Sequence, residues 1–266
     1  MNIIVCIKQV IDPEAPPASF KIDSQSNRVI PPPGIAPVID PYSEYALETA
    51  LRIKDTEGGK ITAICLGNGL VQEVVKKPLA MGADELILLE DDSFANGDSY
   101  TTAYALSMAI KNIGEYDLIM CGRQASDWDN GQVGSVIAEI LKLPSVTVVQ
   151  KIESAGSAVR VERVTDDGHE IIELPLPSVV TITNISGEVR YPNIKGILSA
   201  KKKQPIVWKP ADIGVEPSAI GSAGRKIQMI KLYQPVREGE CQLITGDSPE
   251  EAAENLALKL REDKLI

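Results

Sequence analysis

The chain has 266 residues, with 27 Lys and Arg against 37 Asp and Glu, a formal charge of −10. At about 150 residues per domain this is one large domain, or one domain with an appendage. The acidic balance argues against nucleic-acid binding, which depends on clustered Lys and Arg. The single histidine, His169, nearly excludes a His-rich metal site or a His-centred triad. No apolar run approaches the roughly 18 residues of a membrane span, so no membrane insertion is expected. The start, MNIIVCIKQV, has no signal-peptide layout, and the four cysteines form no CxxC pair, which fits a reduced, cytoplasmic location. Redox or group-transfer chemistry has to come from a borrowed group.

Residues 2–8, NIIVCIK, form a nearly continuous apolar run, as in a strand buried on both faces. A Pro-rich stretch from Asp12 to Pro41 follows; loops this long are usually functional or disordered. Within it SFKID and NRVI are spaced to pair as a hairpin. Asp40 reads as an N-cap and Pro41 as the first residue of a helix. Leu47, Ala50, Leu51 and Lys54 keep helical spacing up to Gly58-Gly59. KITAICL (60–66) reads as a strand, Leu70 to Met81 as a helix ended by Gly82, and ELILLE (85–90) as a strand. Ser99 to Ile113 reads as a helix ended by Gly114, YDLIMCG (116–122) as a strand, and Gly131 to Leu143 as a helix stopped by Pro144. Strands alternating with helices imply an α/β fold with a parallel sheet covered on both faces.

After Pro144 the pattern changes. VTVVQKI, AVRVERV, HEIIEL and SVVTIT are β-rich, with Asp167-Gly168 as a hairpin turn signal. They read as an antiparallel extension of the sheet. The basic run Lys201-Lys202-Lys203 follows, then a Pro/Gly/Ser-rich linker from about Pro205 to Gly224. The chain closes with an amphipathic helix, N-capped by Asp247 or Ser248, with Ala252, Leu256 and Leu260 on one face. That face either docks on a partner or folds back on its own domain. The division expected is a nucleotide-binding α/β domain over 1–204, and a linker with a C-terminal docking arm over 205–266.

Open α/β sheets bind ligands outside the carboxyl ends of their strands, and three segments belong there. Gly67-Asn68-Gly69 lies between a strand and a helix, but Gln72 holds the third glycine position. It is either a weak dinucleotide fingerprint or a plain tight turn. The segment from Gly122 to Gly134, GRQASDWDNGQVG, is stronger. It leaves a buried strand and enters a helix, and it either seats a phosphate on the free N–H groups or is a polar loop that caps the helix. Gly131 and Gly134 permit close approach or positive φ. Asp127 and Asp129 repel phosphate but can accept hydrogen bonds from ribose or backbone. The third segment is the Pro-rich loop ending in Asp40, which is either a plain cap or a ribose or amide ligand. Cys6, Cys65 and Cys121 lie near the ends of apolar runs, as small buried hydrophobes or as small side chains beside a ligand.

One group of motifs is more specific. Residues 161–181, VERVTDDGHEIIELPLPSVVT, resemble the signature of the electron transfer flavoprotein β-subunit family. So do Lys8-Gln9-Val10, Ala80-Met81-Gly82-Ala83-Asp84, the 122–134 loop, Arg190 to Ile197 (RYPNIKGI) and Ala200 to Lys203 (AKKK). They run in the expected order over nearly the whole chain. The resemblance implies a three-layer parallel-sheet nucleotide-binding fold, of the adenine nucleotide α-hydrolase-like type, with an antiparallel β extension and a C-terminal arm. It implies a heterodimer with an α subunit that carries FAD, and electron exchange with an acyl-CoA dehydrogenase-type flavoprotein. It further implies a partner-recognition loop with Tyr191, Lys195 and Ile197 around Ile194, which is either its aliphatic docking anchor or a residue packed locally under the loop.

In this family simple carriers hold AMP in the β subunit, whereas electron-bifurcating relatives hold a second FAD there. The AMP type reads Asn-Gln-Thr before the glycine. Gly131-Gln132-Val133-Gly134 lacks that hydroxyl and resembles the bifurcating group, so FAD is favoured and AMP is the alternative. The resemblance then implies that the FAD accepts hydride from NADH. Its electrons divide between ferredoxin and, through the α-subunit FAD, the acyl-CoA dehydrogenase or reductase. The residues implied around the cofactor are Cys6, Asp40, Leu66, Gly67 and Asn68 near the adenosine, and Arg123, Gln124, Asp127 and Asn130 in the loop. Gly131, Gln132, Val133, Gly134 and Ser135 are implied at the pyrophosphate. Arg123 either stabilises reduced flavin or forms a surface salt bridge. No catalytic side chain and no metal ligand is expected. A nucleotide-sensing module without a redox role is the remaining alternative.

Overall fold

The first strand, β1 (Asn2–Ile7), is buried at five of its six residues, and its apolar run explains why. Ile3, Val5 and Ile7 enter one core, while Ile4 and Cys6 enter a second core on the opposite face. A strand apolar on both faces has to lie inside a sheet covered by helices on both sides. The structure, a computed structural model, describes residues 1–235, 239 and 241–266. Among them the main sheet continues with β2 (Lys60–Gly67), β3 (Glu85–Glu90), β4 (Leu118–Gly122), β5 (Ser145–Ala155), β6 (Ala158–Thr165), β7 (Gly168–Pro175), β8 (Ser178–Ile182) and β9 (Ile206–Trp208). Their spatial order is β7-β6-β5-β8-β4-β1-β2-β3-β9.

Helix α1 (Pro41–Glu57) covers the first face with Leu47, Ala50 and Leu51. As expected, Asp40 caps it, Pro41 opens it, and Gly58, at φ 73°, ends it. The second face is covered by α4 (Ser99–Ile113) and α5 (Val133–Leu141), through Leu106, Ile110 and Ile137. This is the three-layer α/β architecture expected from the alternation. The Pro-rich stretch holds the expected hairpin, with Lys21–Asp23 paired antiparallel to Arg28–Ile30.

Five expectations are corrected. The helix read from Leu70 to Met81 is two short ones, α2 (Gln72–Val75) and α3 (Lys77–Met81). Pro78 has no N–H to continue the ladder and is accommodated only in the first turn of α3. The helix read from Gly131 to Leu143 starts later, at Val133, and ends on Lys142, which is left-handed at φ 56°. Strand β8 is not antiparallel: it inserts parallel between β4 and β5. The antiparallel extension is therefore the β5–β6 and β6–β7 pairs alone. The hairpin turn between β6 and β7 is Asp166-Asp167, and Gly168 opens β7 opposite Thr165.

The fifth correction concerns the linker. Residues 206–208 form β9, parallel to β3 at the sheet's edge, and Ile213, Val215 and Ile220 are buried in the second core. Ser222 still donates to the carbonyl of Ala95 at 3.0 Å. The α6 helix (Ile194–Lys202) precedes this edge, and α7 (Pro249–Glu262) closes the chain. Ser248 caps α7 by accepting from the Glu251 N–H at 3.2 Å, and α7 buries none of its residues. No helix among the described residues is long and apolar enough to cross a membrane.

Candidate functional site

Strands β1, β2, β4 and β8 run parallel, so their carboxyl ends share one edge of the sheet. Lys8, Asn68, Arg123 and Thr183 follow those ends directly. At β4 the chain turns past α1 so closely that a Cβ on Gly122 would sit 2.6 Å from Tyr42 Cβ and 2.9 Å from its carbonyl oxygen. Only glycine allows this approach. The loop from Arg123 to Gln132 then crosses the edge and enters α5.

Asp40 ties this loop to α1. Its Oδ2 accepts from the Ser43 N–H at 3.0 Å, and its Oδ1 accepts from the Ser126 N–H at 2.7 Å. The residue is 0% exposed. With both oxygens engaged inside the protein, Asp40 holds the loop to the start of α1. Cys6 is likewise buried below the edge, beside Cys121 in register. A hydrogen bond to Cys121 and burial push its thiol well above the ordinary value, and burial pushes Cys65 up to about 12. These thiols are neutral packing groups.

The Lys8-Gln9-Val10 motif has a physical reading. Lys8 Nζ pairs with Asp127 at 2.6 Å. Gln9 Oε1 accepts from the Val71 N–H at 2.8 Å, and Gln9 Nε2 reaches the Gly69 carbonyl at 3.4 Å, fastening the Gly67-Asn68-Gly69 turn. Val10 pairs with Val38 in a short ribbon. Leu66 and Gly67 are half-buried at the end of β2, and Asn68 is exposed.

Inside the loop, Gln124 Nε2 donates to Asp129 Oδ1 at 2.7 Å, and Gln124 Oε1 accepts from Arg123 Nε at 2.9 Å. The Arg123 guanidinium lies over the Tyr42 ring, 5.3 Å from its centroid. Among the described residues Arg123 makes no ion pair, so its charge is held by stacking and one amide. Asn130 Nδ2 reaches Ser99 Oγ at 3.4 Å. Asp129 and Gly131 take left-handed backbone at φ 50° and 61°. The residue before α5, Gln132, gives no side-chain cap. Among the described residues, the amides of Val133, Gly134 and Ser135 thus begin a helix with no side-chain cap. Gly134 brings this end against the sheet: a Cβ there would lie 2.5 Å from Thr181 Cγ2.

The arrangement fits a phosphate-bearing ligand. An uncapped helix start supplies amide donors and partial positive charge. Lys8 offsets the Asp127 carboxylate, and Gln124 occupies that of Asp129. Among the described residues the hydroxyl of Ser126 is buried without a hydrogen-bond partner.

The second set of sequence residues gathers elsewhere, around α6. Tyr191 is 92% and Ile194 77% exposed. Ile194 opens α6 and does not lie on a loop, because Asn193 caps the helix by accepting from the Gly196 N–H at 2.8 Å. One turn on, Leu198 is 55% exposed and extends the apolar patch, with Ile197 at its side. Sequence reading stopped at Ile197; the i, i+4 spacing of Ile194 and Leu198 is the signal that reaches further. Gly196 lets α6 close onto α3, since a Cβ there would meet the Ala80 carbonyl at 2.2 Å. Lys203, last of the basic run, donates to the Asp84 carbonyl at 2.9 Å.

One cluster has no counterpart in the sequence reading. Glu48, on α1, is 5% exposed and accepts from Arg52 Nε at 2.9 Å and Arg190 Nε at 2.7 Å. Burial pushes its carboxyl up, but the hydrogen bonds from Arg190 and Arg52 outweigh that and hold it below the ordinary value. Arg190 also reaches Asp55 at 2.8 Å. The partners are 142 residues apart, which no local pattern announces.

A parallel sheet whose strand ends carry an uncapped helix start and a glycine-punctuated loop defines a nucleotide-binding class of α/β protein. Residues 34–213 match the electron transfer flavoprotein domain. The chain is 40% identical to the electron transfer flavoprotein subunit beta of Thermoanaerobacterium thermosaccharolyticum, over the full length of both. It is 36% identical to the caffeyl-CoA reductase-Etf complex subunit CarD of Acetobacterium woodii, again over the full length of both. It is 32% identical to the protein FixA of Azorhizobium caulinodans, covering all of this chain and 96% of that one. The chain belongs to the electron transfer flavoprotein family, among its β subunits, a family that binds flavin or AMP and carries electrons.

Proposed function

We propose that this chain is the β subunit of an electron-bifurcating electron transfer flavoprotein, paired with an FAD-bearing α subunit and holding FAD of its own. The observation that carries the reading is the Gly131-Gln132-Val133-Gly134 turn into α5, where among the described residues no side chain caps the first amides. A hydroxyl or amide cap would occupy the place that a pyrophosphate needs. The match to a caffeyl-CoA reductase complex subunit over its full length supports a flavoprotein partner that acts on acyl-CoA esters. Bound FAD supplies the redox chemistry, with NADH as donor and ferredoxin and an acyl-CoA dehydrogenase-type flavoprotein as acceptors.

The chain's own residues bind and orient. The amides of Val133, Gly134 and Ser135 would hold the phosphate oxygens. Arg123 contributes a fixed positive charge at the edge, kept available by its stacking on Tyr42. Tyr191, Ile194 and Leu198 present the apolar surface on which the flavoprotein partner docks, with Lys195 beside them. The cytoplasm is the expected location.

Counting flavins in the purified heterodimer tests this. Two FAD per heterodimer are expected. One flavin with extractable AMP would instead identify a simple carrier, and no flavin with no stable partner would leave a nucleotide sensor.

A further inference from the structure

The docking segment and the nucleotide loop are fastened to the same helix. At its start, Asp40 takes the Ser126 N–H of the loop at 2.7 Å. Two turns on, Glu48 takes Arg190, the residue immediately before Tyr191. Glu48 Oε2 accepts from both Nε and the backbone N–H of Arg190, at 2.7 and 3.2 Å, and Oε1 accepts from Arg190 Nη2 at 3.2 Å. The same carboxylate binds Arg52, which spans outward to the carbonyls of Ser186 at 2.9 Å and Glu188 at 2.5 Å. One arginine thus reaches from helix to segment and the other from segment to helix, with Glu48 between them. Gly187, at φ 114°, wraps this guanidinium so closely that a Cβ would lie 2.6 Å from Arg52 Nη1.

A buried carboxylate held by two guanidiniums is a poor means of adding stability, because desolvation offsets the attraction. It is a good means of fixing one geometry. Here the fixed object is the chain that runs directly into Tyr191 and Ile194.

We propose that Glu48 is a positioning residue for partner capture, which locks the start of the docking segment onto α1 so that Ile194 keeps one spacing from the nucleotide loop. This rests on the docking role given to Ile194. Glu48 touches neither the partner nor the cofactor; its effect passes through Arg190 and Arg52. Loss of the lock leaves the apolar patch intact but lets it adopt many orientations, so capture weakens while transfer within the captured complex does not.

The test uses the intact heterodimer with its α subunit, as wild type, Glu48→Gln, Gly187→Ala and Ile194→Ala. Steady-state reduction of the acyl-CoA dehydrogenase-type flavoprotein is measured against its concentration. Glu48→Gln is expected to raise KM for that flavoprotein about tenfold, with kcat within about twofold and cofactor content unchanged. Gly187→Ala disturbs the same segment without altering Glu48 and is expected to raise KM as well; it carries the test if Glu48→Gln fails to fold. An unchanged KM in both, with KM raised in Ile194→Ala, overturns the positioning role alone. Loss of cofactor together with kcat in Glu48→Gln also overturns it, because Glu48 then merely supports the fold. An unchanged KM in Ile194→Ala overturns the docking reading beneath it.

Discussion

Asp40 Oδ1 accepts the backbone N–H of Ser126 at 2.7 Å, across 86 residues of chain. Through this bond the cap of α1 also sets the path of the nucleotide loop. Replacing Asp40 by alanine removes the helix cap and a charged hydrogen bond together. The expected cost is about 2–4 kcal/mol. Denaturant unfolding measures it, and the cofactor retained through gel filtration is expected to fall as the loop loses its tether. A variant with full cofactor content and wild-type stability would show that the bond is incidental.

Gly134 packs the start of α5 against Thr181. Gly134→Ala places a methyl group 2.5 Å from Thr181 Cγ2 and forces the helix start away from the sheet. Overpacking of this kind costs about 1–3 kcal/mol. Because the displaced amides are those proposed for the pyrophosphate, cofactor affinity is expected to fall about tenfold. Equilibrium dialysis of the apoprotein checks this. Affinity equal to wild type would remove α5 from the site.

Asp84 explains part of the Ala80 to Asp84 motif and gives a pH dependence. Its carboxylate bridges Lys54 at 2.7 Å and the Ile61 N–H at 2.8 Å, joining α1 to the start of β2. Burial pushes its pKa up, but Lys54 and the Ile61 amide outweigh this and hold it below the ordinary 3.8. A depressed folded pKa means stability that is present above the unfolded value and lost as pH falls through the folded one. Urea unfolding of wild type and Asp84→Asn should differ near neutral pH and converge as the pH falls below about 4. A gap that stays constant down to strong acid would count against the bridge.

The helix over Pro249–Glu262 buries none of its residues. A helix with no buried face adds nothing to the sheet domain's stability. A chain ended after Pro235 is therefore expected to melt within a few degrees of the full chain. Co-purification with the α subunit is expected to be lost, because Leu256 and Leu258 lie exposed on that helix. Retention of a stable heterodimer would place the pairing surface elsewhere.

The parallel core was legible because strands buried on both faces carry apolar runs that need no context. Asp40-Pro41 was legible because cap and first-turn proline are local signals. What was missed depends on partners distant in sequence. Ser178 to Ile182 looked like one more strand of a meander, yet it inserts beside β4, and only the register decides that. The strand at Ile206 is three residues long and was hidden among prolines and glycines. Pro78 is a local signal that a helix through Leu70 to Met81 has to break. In the site, the 122–134 loop was read from its glycines, but Asp40's burial was not, since only the fold brings Ser126 to it. Glu48 gave no sign because its partner, Arg190, follows 142 residues later.

β1 has its own consequence for how the molecule is made. Ile3 pairs with Ile61 on one side and with Leu118 on the other. A central strand of the sheet is therefore made well before its second neighbour, which lies more than a hundred residues further along the chain. At translation speeds of about 5–20 residues per second, that edge stays open for on the order of ten seconds. Until then an apolar run with an unpaired backbone is exposed in the nascent chain, and a chaperone that covers extended hydrophobic segments would have this one to shield.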